Sequence, residues 1–288
     1  SLSGLQGIYN VVGLIAAAFA SGAMLNAGMG YRGMAWVVMV ASLVAYVLPF
    51  FGPTDDPKRV ADQPTPPFFR SVAMSLSNRP FLIYTCSRLL FMFGLLLIVA
   101  ALPYMAETLL HVPEGEAGML SGIALLSGVL CVPLIMRMAK RRGMKSAYLF
   151  SMTWFTATTP LLALMAVVGD YHWGVWAMRG LLLVTGVAIG GLFALPSAIL
   201  STITDYDKAY TGMDRQGMYF CVEGLILKAA YSGAPAAVTG LLALLPEHRF
   251  LVLSLIGPIT ALTALIANVI FRRFPEEEVN RAVAAAQA

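Results

Sequence analysis

Long apolar runs separated by short polar stretches set the pattern of this chain. Eight runs qualify as membrane spans, at roughly 5–26, 34–51, 81–106, 117–138, 146–168, 174–203, 217–243 and 250–271. A hydrocarbon core about 30 Å thick takes about 20 helical residues to cross. None of the runs alternates with the period of two that a transmembrane barrel needs. Glycine and proline interrupt several of them, which membrane helices tolerate. The pattern predicts an all-α integral membrane protein.

The longest break, 52–79, is rich in proline (Pro53, Pro57, Pro64, Pro66 and Pro67). Its second half, Phe68 to Ser77, predicts a short helix lying in the membrane interface. This linker separates two spans from six, as a boundary between helix bundles would. Two plus six is lopsided, and it matches a six-plus-six protein whose first four spans are absent. The chain then divides into the last two helices of one bundle (1–51), a central loop (52–79), a six-helix bundle (80–272) and a tail (273–288).

Composition agrees with this reading. The 288 residues are 59% hydrophobic and 12% charged, against about 25% charged in a soluble domain. The net charge of +4 does not point to nucleic acid, because topology explains where the basic residues sit. Lys58, Arg59, Arg70, Arg79, Arg137, Lys140, Arg141, Arg142, Lys145, Lys208, Arg215, Arg272, Arg273 and Arg281 fall in one set of loops and the tail. The opposite loops hold Arg32 and Arg249. Fourteen against two makes the first set cytoplasmic, with both chain ends on that side. His111, His172 and His248 fall in the opposite loops. Trp36, Trp173 and Trp176 read as an aromatic belt at that boundary. Cys86, Cys131 and Cys221 lack metal-type spacing and read as small buried hydrophobes. No cleavable signal peptide is expected, since Ser1 has no basic segment before it and the first apolar run is too long.

Charges inside the apolar runs carry the candidate chemistry, because a charge in lipid is expensive unless it faces a partner or a polar cavity. Arg88 lies about eight residues into the third run, and Glu223 about six into the seventh. Each is then about 10 Å from the same boundary, so the two are expected to pair across neighbouring helices. Lys228 lies near the midplane, about 140° around the helix from Glu223. No acidic residue of this chain reaches its depth. It reads either as a structural tie to free carbonyls or as a side chain facing a central cavity, bound to substrate or to a carboxylate from elsewhere. Arg179, near the outer end of the sixth run, snorkels. Gly190, Gly191 and Pro196 interrupt that run around Phe193. They permit close packing, or a bending helix with an aromatic platform on the cavity. Asp205-Tyr206-Asp207 reads as the end of a helix and a loop rather than as a metal motif.

Three places resemble one known group, the glycoside–pentoside–hexuronide:cation symporters, which are the melibiose-permease-like branch of the major facilitator superfamily. They are Asn78-Arg79-Pro80-Phe81 with Leu102-Pro103-Tyr104, the loop Ala139-Lys140-Arg141-Arg142-Gly143, and, most specific, Asp205-Tyr206 followed by Arg215-Gln216-Gly217-Met218-Tyr219-Phe220 and Lys228. The resemblance spans essentially the whole chain. It implies that the eight spans are helices five to twelve of a fold with two six-helix bundles that rock around a central site. Lys228 would be the lysine of helix eleven facing the cation and sugar region. Phe193 would be a cavity aromatic on helix ten. Glu223 stands where members carry a polar residue, often an amide. Arg88 joins this set as the partner of Glu223.

The resemblance further implies a sugar-like solute, coupling to Na+ or H+, no cofactor and no catalysis, in the bacterial cytoplasmic membrane. The family's cation-binding aspartates lie on helices one, two and four, which are not in this sequence. Two other classes remain. One is an uncoupled, sensing or lipid-handling relative of the same fold. The other is a membrane enzyme acting on lipid-linked substrates, for which Asp205, Asp207 and Asp214 would have to serve.

Overall fold

The computed structural model describes residues 13, 16, 17, 20, 21, 23, 24, 27–52, 68–112, 115–169, 171, 173–213 and 215–287. Most of the predicted first span, the proline-rich segment 53–67, His172 and Asp214 lie outside the described residues. Among the described residues the secondary structure is helical. It comprises α1 Gly30–Val47, α2 Phe68–Ser77, α3 Arg79–Leu110, α4 Gly115–Arg142, α5 Met144–Thr158, α6 Met165–Val168, α7 Gly174–Ala194, α8 Pro196–Thr211, α9 Gln216–Leu244, α10 Arg249–Phe271 and α11 Glu276–Gln287.

Among the described residues, six stretches are long and apolar enough to cross a membrane: α3, α4, α5 through α6, α7 through α8, α9 and α10. They coincide with the last six predicted spans. The second predicted span corresponds to α1, which is shorter than these six and begins at Gly30 rather than at 34. The sixth span runs longer than predicted, because α8 continues to Thr211. Asp205 and Asp207 therefore lie within a helix and not in a loop, and the loop reading is corrected. The tail is likewise a helix, α11, with Glu276, Glu277 and Glu278 in its first turn, where carboxylates meet the positive end of the helix dipole.

In the bundle, α3 lies between α9 and α10, α4 runs along α7, and α5 bridges α7 and α10. Small residues set the α4–α7 approach. A side chain at Gly128 would come 3.0 Å from Ile189 Cβ and 3.1 Å from the Gly186 carbonyl oxygen. Close backbone contact of this kind drives helix association where lipid removes the hydrophobic incentive. Gly190 faces the Gly128 backbone and Gly191 faces Ser151, so packing accounts for both. Polar ties add to it. Ser87 Oγ donates to the Ala267 carbonyl at 2.8 Å and Ser127 Oγ to the Leu183 carbonyl at 2.6 Å. Asn268 Nδ2 donates to Thr153 Oγ1 at 2.9 Å. An aromatic column of Phe155, Phe91, Tyr148 and Phe271 joins α5, α3 and α10 with ring centroids 4.9–6.1 Å apart.

One end of the bundle is basic, carrying Lys140, Arg141 and Arg142 of α4, Lys145 of α5 and Arg272 and Arg273 after α10. There Gly143 turns the chain with φ +89°, a value that favours glycine. A side chain at Gly143 would also sit 2.8 Å from Glu276 Oε2. Glu276 accepts the Lys145 backbone N–H at 3.0 Å, and Lys145 Nζ donates to the Phe274 carbonyl at 2.6 Å. These bonds fix the start of α11 to the α4–α5 turn, and α11 packs on α8. Cys86 and Cys221 are exposed, and Cys131 is partly buried. That corrects the reading of all three as buried hydrophobes: none is fully buried in the bundle. All three are free thiols.

Candidate functional site

The structure brings Arg88 and Glu223 together and leaves Lys228 and Phe193 apart from them and from each other. The joined pair sits in a buried polar cluster between α3 and α9. Arg88 Nη1 forms an ion pair with Glu223 Oε1 and also donates to Tyr84 Oη at 2.6 Å. The Tyr84 hydroxyl donates to Glu223 Oε1 at 2.6 Å and lies 3.1 Å from the Pro196 carbonyl oxygen. Both charged side chains are largely buried, at 16% and 7% exposure. A charge pair in lipid is viable when each member is also hydrogen-bonded, and Tyr84 supplies that bond to both. Pro196 lacks an N–H and breaks the helix between α7 and α8. Through that carbonyl the cluster ties α3 and α9 to the break.

Sequence reasoning missed Tyr84. Its signal was present, since a residue four before Arg88 shares the arginine's helix face. Asn78 caps α3 by accepting the Phe81 N–H at 3.3 Å, and its Nδ2 donates to Tyr219 Oη of α9 at 3.0 Å. The second bond crosses between distant segments that no local pattern joins.

Near the basic end, Asp207 takes a bidentate bond from Arg215, with Nε and Nη2 at 2.7–3.0 Å. Both side chains are at least nine-tenths buried, whereas Asp205 is exposed. The pair borders a polar cavity of about 510 Å³ that Asn78, Arg79, Tyr206 and Glu278 also line. Tyr206 Oη and Glu278 Oε1 are 3.2 Å apart, so α11 forms part of this wall. Among the described residues no cluster of His, Cys, Asp or Glu has a metal-binding arrangement.

Lys228 and Phe193 stand apart from that cluster and from each other. Lys228 is exposed on α9, on the side away from Glu223. Cys221, Gly224, Lys228 and Ser232 recur at three- and four-residue spacing, Thr239 follows two turns on, and all are exposed, so one face of α9 carries small and polar residues around Lys228. The face buried against α3 carries Tyr219, Val222, Leu227 and Ala230. Among the described residues Lys228 has no carboxylate partner. Phe193 lines a separate cavity of about 450 Å³, shared with residues of α3, α4 and α7, Phe155 of α5, Tyr231 of α9, and Ala17, Ser21 and Met34. Its walls are largely apolar, and neither Arg88, Glu223 nor Lys228 is among them. Arg179 stacks over Trp176 at 4.7 Å and points Nη2 to Met119 Sδ at 3.7 Å, away from the cluster and the cavity.

Comparison with known proteins follows from this architecture. The family profile described as MFS/sugar transport protein matches residues 1–246. The chain belongs to this family. Its fold is that of the major facilitator superfamily, and it is an integral membrane protein. No individually curated protein matches the chain. Among solved structures, a bacterial homologue of the iron transporter ferroportin in the outward-facing state is similar at a TM-score of 0.50 and 19% identity. The similarity covers 69% of this chain and 46% of that one. At that identity it speaks for the fold alone. This chain therefore spans less than half the length of that MFS-fold neighbour.

Proposed function

We propose that this chain is the helix-five-to-twelve portion of a secondary active transporter that moves a small solute by alternating access, in symport with Na+ or H+. The observation that carries the reading is Lys228. It is a cation within a membrane-length helix, on an exposed face of small and polar residues, with its carboxylate neighbour Glu223 committed to Arg88 on the other face. A lysine so placed needs an anionic or polar partner from outside the described residues. A substrate, or carboxylates on the opposite bundle, would supply it. The family description and the resemblance to melibiose-permease-like symporters favour a sugar or related polar solute. Basic residues gathered at one end favour that end as cytoplasmic, in a bacterial cytoplasmic membrane.

In this mechanism Arg88, Glu223 and Tyr84 hold α3 to α9 as one wall that moves as a unit. Lys228 presents charge to the pathway, and Phe193 borders it. The cation and solute together neutralise the site and stabilise an occluded state. The test is ion-driven solute uptake by the full-length carrier in proteoliposomes. Lys228→Ala is expected to abolish gradient-driven accumulation at unchanged folded yield. Accumulation at the parental rate would sink the assignment.

A further inference from the structure

We infer that the polar cavity at the basic end binds a phosphate group, held by Arg79, Arg273 and the unused edge of Arg215. The inference stands apart from the solute pathway, since neither Lys228 nor Phe193 lines this cavity. Three observations carry it.

The first is the charge on the wall. Arg79 opens α3, Arg273 lies two residues past the end of α10, and Arg215 directly precedes α9; all three line the cavity. Arg79 and Arg273 are exposed. Among the described residues neither guanidinium has an ion-pair partner. Two carboxylates share the wall, Asp207 and Glu278. Asp207 is committed to Arg215, and Glu278 accepts from the Tyr206 hydroxyl at 3.2 Å. Positive charge is therefore left over.

The second is the supply of donors. The Arg215 side chain is only 9% exposed, and it spends Nε and Nη2 on Asp207. Its Nη1 is buried with no hydrogen-bond partner among the described residues. A buried donor left open beside a cavity is costly until a ligand oxygen meets it. Two hydroxyls of the wall are already spent. Ser77 Oγ donates to the Ala73 carbonyl and Thr211 Oγ1 to the Asp207 carbonyl, each at 2.8 Å. The arginines are thus the main donors left for a ligand.

The third is the arrangement. The three arginines arrive from separate elements, at the α3 start, the α8–α9 turn and the α10–α11 join. A planar carboxylate is satisfied by one arginine fork. A phosphate sends its oxygens in several directions and takes several guanidinium groups. The start of α3 adds the positive end of a 32-residue helix, which favours an anion. The volume of about 510 Å³ falls within the roughly 300–1,000 Å³ of small-molecule sites, with room for the polar body that carries the phosphate.

A phospholipid headgroup and a soluble phosphate monoester share this chemistry. Met74 and Ser77 of the interfacial helix α2 also line the cavity, which puts it within reach of either source. The experiment is thermal unfolding of the full-length protein in dodecyl maltoside at constant ionic strength. The probes are glycerol 3-phosphate, succinate, and micelles doped with dioleoyl phosphatidylglycerol or with dioleoylglycerol, which lacks the phosphate. The expected result is a saturable rise in melting temperature with glycerol 3-phosphate, or with phosphatidylglycerol and not dioleoylglycerol; the responding arm identifies the source. Arg79→Gln and Arg273→Gln are each expected to raise the half-maximal concentration on the order of tenfold. Arg142→Gln removes the same charge from an exposed position at the same end, outside the cavity, and is expected to leave it unchanged. All three substitutions are at exposed positions, so the unliganded melting temperature should hold.

No rise with either phosphate source would overturn the site. An equal loss of response in Arg142→Gln would reduce it to general charge attraction and overturn it as well. An equal rise with succinate would overturn the phosphate, and a lipid response matched by dioleoylglycerol, with none from glycerol 3-phosphate, would do the same.

Discussion

Breaking the Arg88–Glu223 pair from one side should cost far more than removing it whole. Glu223→Met leaves the Arg88 guanidinium largely buried, with the Tyr84 hydroxyl as its remaining partner. Removing one member of a buried ion pair costs about 3–5 kcal/mol. The residual Tyr84 bond and the 16% exposure of Arg88 place this case near the lower end, about 3 kcal/mol, or a folding equilibrium shifted about a hundredfold. Arg88→Met leaves Glu223 with one donated bond, from Tyr84, and should cost a similar amount. The double variant removes both charges and fills the space with apolar atoms of similar volume. Such replacements are often neutral or better, and Tyr84 keeps the Pro196 carbonyl as an acceptor. The double-mutant cycle, read by equilibrium unfolding in mixed detergent micelles, should therefore give a coupling energy of about 3 kcal/mol or more. Single-variant losses that add to within about 0.5 kcal/mol would refute the pair as an energetic unit.

Two further outcomes follow from the basic end. Asp207→Ala strands the buried Arg215 guanidinium and should lower stability by about 3 kcal/mol. Asp205→Ala, at an exposed position, should stay within about 0.5 kcal/mol of the parent. Thermal melts of the detergent-solubilised protein, followed by size-exclusion chromatography, separate the two. Glu276→Ala removes the acceptor for the Lys145 N–H, a bond worth about 1 kcal/mol, so chymotrypsin should release α11 about fivefold faster. Cleavage at the parental rate would mean that the bond does not hold the tail.

Much of the bundle was legible because membrane helices announce themselves by length and polarity. The six long spans and the short Phe68–Ser77 helix follow from that pattern. The Arg88–Glu223 pairing followed from depth alone, since two opposite charges equally far from one boundary have few other ways to be satisfied. Local pattern failed where a contact depends on which turn faces inward. Asp205 and Asp207 look alike in sequence, yet two helical residues differ by about 200° in direction, and the buried one pairs with Arg215. Cys86 and Cys221 lie in apolar runs but on exposed helix faces, because an apolar residue in a membrane need not be a buried one. The cavity beside Phe193 was not legible, since its walls come from segments scattered along the whole chain. The tail helix had its signal in Glu276-Glu277-Glu278 ahead of an alanine-rich run, a helix start overlooked for its polarity.

The central claim is that Lys228 faces an aqueous solute pathway while Glu223 is locked against α3. Cysteine accessibility tests it directly, in a full-length background where Cys86, Cys131 and Cys221 are replaced. Lys228→Cys and Leu262→Cys, the latter on the outward face of α10, would each be treated with a membrane-impermeant methanethiosulfonate in proteoliposomes. The account expects rapid modification at 228, slowed by the transported solute, and no modification at 262. Equal silence at both positions would place Lys228 against lipid or protein and contradict it.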